Sequence, residues 1–224
     1  MGRKAFTVRR AGFTIVELLV VIGIMTILMG ILLPSLNRAQ QASKAIKCQA
    51  QLHDIGLALL EYADEHNGYL FPTDMGYDSA HVGPVYPDDG SDPNEVYNVW
   101  PVRVWGKWNP PEMICPADVL PAAQHSYVIN SHMAYWNLKY SSVLPNHVSP
   151  SDVVLMGEKY STILDYYMEP DQGDFDRVVD PSKHGTQWGS NYLMLDMHVD
   201  TLLPGPAESG LDPWDPTGIP TTQQ

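Results

Sequence analysis

The chain has 224 residues, enough for one domain of ordinary size beyond any membrane segment, and 26 acids against 13 Lys and Arg give a net charge of −13. That balance argues against nucleic acid and against adhesion to anionic lipid. With only two cysteines, Cys48 and Cys115, the chain is no disulfide scaffold.

The first element is an apolar run from Phe13 to Leu33, 21 residues in which Glu17 is the single charged group. A bilayer core of about 30 Å needs roughly 20 apolar residues at the helical rise, so this run is long enough to span. Ahead of it stand Arg3, Lys4, Arg9 and Arg10 with no acid among them. That asymmetry predicts a cytoplasmic leader and export of everything after Leu33. A secretory signal has a shorter apolar core followed by a small-residue cleavage site. Here the small-residue site, Gly12, precedes the run. A plain anchor leaves Glu17 unexplained, because a carboxylate in a membrane segment is costly and marks function.

The string Gly12-Phe13-Thr14-Ile15-Val16-Glu17-Leu18-Leu19 and the run after it resemble the cleavage motif of type IV prepilins and type II secretion pseudopilins. The resemblance implies that a membrane peptidase cuts between Gly12 and Phe13 and methylates the new amine of Phe13. Glu17 then becomes the fifth residue of the mature chain. Without the four leader cations, nine Lys and Arg face 26 acids, a net charge of −17 on the mature chain. Such a charge suits a soluble exported domain, or one that meets divalent cations.

From Pro34 the pattern changes. Proline removes a backbone donor and crowds the preceding turn, so a break or kink is expected there. Beyond it Leu36, Ala39, Ala42, Ile46, Leu52, Ile55, Leu59 and Tyr62 recur near helical spacing with polar residues between. That is an amphipathic helix with one stripe against a domain. It ends near Asn67-Gly68, where a left-handed cap is available. His53 and His66 lack a His or Cys partner at helical spacing and read as solvated or capping groups rather than metal ligands.

Past Gly68 the texture is rich in Pro, Gly, Asp and aromatic residues. Asp74 to Asn94 reads as a long turn-rich loop. Val99 to Trp105 alternates enough for a short edge strand, with Pro101 confining it to an edge. Trp100, Trp105 and Trp108 suggest either a sugar-stacking platform or cover for a modest core, and core is the commoner use. Further strands are expected at 126–130, 133–137, 153–157, 191–196 and 198–203, the last two joined by a tight turn at Asp196-Met197-His198. One long helix followed by short strands is an α+β pattern, the helix packed on a small antiparallel sheet. The Pro- and Gly-rich tail, 204–224, should be poorly ordered or extended along the surface. The expected division is a leader at 1–12, a membrane and assembly helix at 13–36, an exported α+β domain at 37–203 and the tail.

A second resemblance covers most of the exported part. Cys48 to Leu59 is similar to the Cys-x-x-Asn-Leu-x-x-Ile-Gly-x-Ala helix of a large bacterial pseudopilin-like group, with Gln51 where that motif has asparagine. Cys115-Pro116-Ala117-Asp118 and Tyr127-Val128-Ile129-Asn130 look like its Cys-Pro-x-Asp and Tyr-x-x-Asn segments. His184 and Asn191 to Val199 resemble its closing motif: a histidine, nine intervening residues, then Asp-Gly. Here eleven residues separate His184 from Asp196, and Met197 replaces the glycine. A glycine there implies a backbone with positive φ.

Candidate chemistry is sparse. No nucleotide-binding glycine pattern and no Gly-x-Ser-x-Gly elbow occurs, so no enzyme is expected. His184, Asp196 and His198 have the donor chemistry for zinc, but a hydrogen bond tying a hairpin to a loop is the simpler reading. Asp165, Glu169, Asp171, Asp174 and Asp176 read first as a solvated acidic loop. Calcium is the alternative there, since major type II pseudopilins hold calcium in a C-terminal loop, though no EF-hand spacing is present. Export permits one bridge between Cys48 and Cys115, and the sequence leaves open whether they meet.

The expectation is a structural, non-enzymatic pseudopilin-like subunit with no cofactor. It is anchored once in the inner membrane, its C-terminal domain is periplasmic, and it enters a type II secretion pseudopilus or a type IV pilus-like filament. Its partners would be the prepilin peptidase, copies of itself and related pseudopilins, and an inner-membrane assembly platform. The rival expectation is a tethered binding domain that uses the leader only for sorting.

Overall fold

A computed structural model of the chain describes residues 14–70, 100–105, 111–119, 121, 125–130, 139, 148–164, 167–168, 175–202 and 214. The chain divides into two compact units, Met1–Gln40 and Gln41–Gln224.

Helix α1, Ile15–Glu65, has 51 residues and continues through Pro34, which lies inside it without ending it. Within the first unit every large apolar side chain from Ile15 to Leu33 is exposed. A helix apolar on all faces requires lipid or other helices around it. By length and composition it can cross a membrane.

In the second unit α1 buries Ala45, Cys48, Leu52, Ile55, Gly56, Leu59, Tyr62 and Ala63. The stripe therefore turns away from three residues assigned to it: Ile46 is 65 % exposed, while Leu36, 54 % exposed, and Ala39, also exposed, lie in the other unit. Cys48, four residues before Leu52, and Ala45, three before Cys48, take the inward positions instead. Each fully buried Leu or Ile contributes about 1.5–3 kcal/mol. The helix closes with Asn67 at φ 58 and Gly68 at φ 87, and Gly68 N–H donates to Ala63 O at 2.7 Å. That six-to-one bond is the Schellman closure. His66 Nδ1 lies 2.8 Å from Tyr62 O, its ring stacked on Tyr62.

The sheet has five strands, β1 Tyr127–Asn130, β2 Val154–Glu158, β3 Tyr167–Met168, β4 Ser190–Met194 and β5 Val199–Leu202, in the order β3-β1-β2-β4-β5. It is mixed rather than wholly antiparallel, because β3 pairs parallel to β1 at the edge. Four strands were legible in the sequence. The two-residue β3 is too short to show alternation, and 133–137 lies outside the described residues. Tyr127, Ile129, Leu193 and Leu195 belong to the same core as Cys48, Leu52, Ile55 and Leu59. Val128, Val154, Tyr192 and Met194 pack on the opposite face with Met168, Val178 and Trp214. A register shift between Val154 and Met156 puts both Leu155 and Met156 on the helix side. An added residue in one strand does this by interrupting the alternation of faces.

Two sequence readings need correction. Trp100–Trp105 is a short helix, not an edge strand. Trp100 is fully buried in the helix-side core with Trp105 tilted on it at 5.6 Å, so burial of the indole rather than strand pairing fixes this segment. Trp108 lies outside the described residues. In the tail, Trp214 is not a surface residue: it is 1 % exposed, edge-on to Tyr192, and its carbonyl accepts from Asn130 Nδ2 at 2.6 Å. A Cβ on Gly157 would stand 2.9 Å from its ring, so the bare glycine makes room for it. An isolated Trp among prolines carries no period to announce burial.

Candidate functional site

At the start of α1, Thr14 and Glu17 bond to each other reciprocally. Glu17 Oε2 accepts from Thr14 N at 2.9 Å and from Thr14 Oγ1 at 2.8 Å, and Glu17 N–H donates to Thr14 Oγ1 at 3.3 Å. This is a capping box, in which a Thr N-cap and a Glu three residues on satisfy orphan donors of the first turn. Its sequence signature is Thr14-x-x-Glu17 ahead of an apolar run. Within one chain Glu17 thus already has a local role, and its carboxylate sits beside the backbone of Thr14, the second residue of a chain cut before Phe13. Gly12 and Phe13 lie outside the described residues.

A second constellation sits between α1 and the sheet. Cys48 of α1 and Cys115 form a disulfide across 67 residues of sequence. Beside it, His184 Nε2 is 2.9 Å from Glu158 Oε1, with neither side chain exposed to solvent. Glu158 projects from β2 on the helix side, and its Oε2 accepts from Asn191 N at 2.8 Å. Asn191 Nδ2 donates to Ala45 O of α1 at 3.0 Å, and its Oδ1 accepts from Thr201 Oγ1 at 2.7 Å. The Cys115 segment is held from both sides. Gln51 Nε2 donates to Ile114 O at 3.1 Å, and Gln51 Oε1 accepts from Tyr127 OH at 3.1 Å. Asp118 pairs with Lys183 Nζ at 2.8 Å and accepts from Ser126 Oγ at 3.0 Å. Burial pushes Asp118 up, but hydrogen bonds from Lys183, Ser161 and Ser126 and the charge of Lys183 outweigh it and leave the carboxyl below its usual range. Nearby, burial holds Lys159 down to about 8; Asp118 pushes the other way. Burial, then the charge of Lys159, holds His125 down to about 3.

The closing motif comes apart in space. His184 belongs to the buried pair with Glu158, whereas Asp196 and His198 bond to each other in the exposed β4–β5 turn. Among the described residues, the group placed to share an ion is Cys48, Cys115, Glu158 and His184, not the sequence candidates His184, Asp196 and His198. Met197 takes φ 69, the left-handed backbone that a glycine would supply. Of the acidic calcium candidates, Asp176 stands in a short helix, Phe175–Val178, and Asp165, Glu169, Asp171 and Asp174 lie outside the described residues. Glu158 was the site residue missed by sequence reasoning; a lone acid closing the strand Val-Leu-Met-Gly-Glu gave no spacing to read.

Residues 8–33 match the family described as the prokaryotic N-terminal methylation motif. That match, at the head of a long apolar helix, supports a type IV pilin-like protein. No curated protein and no solved structure matches the chain. For a pilin-like chain the motif implies processing by a prepilin peptidase and assembly into a filament, and its apolar first helix fits anchorage in a membrane. The matched stretch contains Gly12, Phe13 and Glu17 together.

Proposed function

We propose that this pilin-like chain is a structural subunit, not an enzyme, of a type II secretion pseudopilus or a related type IV pilus-like filament. The observation that carries the reading is the all-round apolar helix from Ile15 to Leu33, opening on Thr14 and Glu17 under the methylation motif. After cleavage, Phe13 bears a methylated amine, and the chain waits in the inner membrane with its C-terminal unit on the periplasmic side. In the filament Glu17 meets the amine of a neighbouring copy, so that two charges buried among apolar helices compensate each other. Related pseudopilins and an assembly platform at the inner membrane complete the partners. Contacts repeated head to tail without closure build a filament.

The capping box sharpens the test. Glutamine at position 17 preserves the cap but not the charge, and alanine loses both. Glu17→Gln and Glu17→Ala should each be cut and methylated, and both should be largely missing from filaments. Normal assembly of Glu17→Gln with failure of Glu17→Ala would reduce Glu17 to a capping residue. Normal assembly of both would overturn the reading and favour a tethered domain.

A further inference from the structure

We propose that in its dithiol state this protein binds one zinc ion through Cys48, Cys115, His184 and Glu158, and that closing the disulfide expels it. Four separate segments deliver these side chains: α1, the 111–119 segment, the loop before β4, and β2. Their ligand atoms all lie within 4.8 Å of one another, and all four residues are buried. Two sulfurs, one imidazole nitrogen and one carboxylate oxygen make a four-coordinate set of the kind that structural zinc prefers.

The distances fit. At ordinary zinc bond lengths, the edges of a tetrahedron are about 3.5 Å from sulfur to nitrogen and about 3.3 Å from nitrogen to oxygen. Cys115 Sγ lies 3.9 Å from His184 Nε2, and Nε2 lies 2.9 Å from Glu158 Oε1. The two sulfurs, bonded in the oxidised chain, must separate once that bond is gone. The surrounding shell is already in place: Asn191 N–H fixes Glu158 Oε2, leaving Oε1 to face the ion, as supporting partners of metal ligands do.

The pair by itself carries a cost: His184 and Glu158 are both shut off from solvent, and a purely apolar centre would brace α1 against the sheet without burying an imidazole and a carboxylate. Zinc would staple, in the reduced chain, the same segments that the disulfide staples in the oxidised one.

The exchange balances with an external disulfide as oxidant. One cysteine thiolate attacks it and releases one thiolate, and the second cysteine then attacks the mixed disulfide, releases the other thiolate and forms the Cys48–Cys115 bond. Two electrons pass to the oxidant, and zinc leaves as the divalent ion while His184 returns to Glu158.

The test uses the full chain in detergent, reduced with a phosphine without oxygen and given zinc sulfate or cobalt chloride. Reduced protein should hold one zinc per chain, oxidised protein none, and oxidised glutathione should release one zinc per disulfide closed. Cobalt should show thiolate charge-transfer bands and the intense visible absorption of a tetrahedral site. His184→Gln and Glu158→Gln should each weaken binding at least about tenfold, and Cys115→Ala should abolish it. Zinc should also raise the unfolding temperature of the reduced chain. Folded reduced protein without stoichiometric zinc would overturn the proposal. So would a reduced chain that stays unfolded with zinc present, or wild-type affinity in both the His184 and Glu158 variants.

Discussion

The cross-link between α1 and the 111–119 segment sets the stability of the second unit, and its removal has a calculable cost. Cys48 and Cys115 are separated by 67 residues, and loop-closure entropy for a ring of that size amounts to about 4 kcal/mol at room temperature. Both cysteines are fully buried, so alanine at either position also leaves a small void of the same sign. A domain's total stability is about 5–15 kcal/mol, so the loss is large but survivable. The assay is urea unfolding of a fragment beginning at Arg38, which should stay soluble and monomeric because the apolar run is gone. Cys48→Ala with Cys115→Ala should lower the unfolding free energy by about 4 kcal/mol. It should also steepen the urea dependence, since the freed denatured chain exposes more surface. Each single variant already opens the loop, so the double should cost little more than either alone rather than twice as much. A loss under about 1 kcal/mol, or strict additivity of the two singles, would refute the argument that the bridge acts by constraining the unfolded chain.

Two further tests bear on the second unit. Met197→Gly and Met197→Ala both delete a side chain that packs on the core, but only glycine relieves the φ of 69; glycine should be the more stable by about 1 kcal/mol in the same urea assay, and the opposite order would contradict the backbone assignment. Buried His125, held down to about 3, stays neutral while the unfolded chain takes a proton at about 6.5. The unfolded state then binds more protons, so stability should fall as pH drops from about 6.5 towards 3 and this contribution should be level above it. The urea midpoint of His125→Gln should fall less steeply between pH 7 and 5 than wild type; an equal slope would place the acid sensitivity elsewhere.

Sequence reading reached the helix, its Asn67-Gly68 closure, four strands and the turn at Met197, because each rests on local periodicity or on a backbone requirement of one residue. What it missed depends on distant partners. Trp214 is buried by meeting Gly157 and Tyr192, and Trp100 by meeting the helix-side core, which no window around either residue contains. The inward turn of α1 at Cys48 in place of Ile46 follows from where Cys115 lies. His184 was singled out by its motif, but its partner Glu158 is 26 residues away on another element, and the motif's own Asp196 pairs elsewhere. The Thr14–Glu17 box rests on local spacing alone, a Thr three residues ahead of a Glu at the head of an apolar run, and so is legible in the sequence.

The central claim is assembly of a processed subunit. Filaments sheared from cells, or pseudopili recovered from the envelope, should contain this chain, and intact-mass analysis of that fraction should show it beginning at methylated Phe13. A chain confined to the membrane fraction, or one that still begins at Met1 where the peptidase is active, would contradict the account.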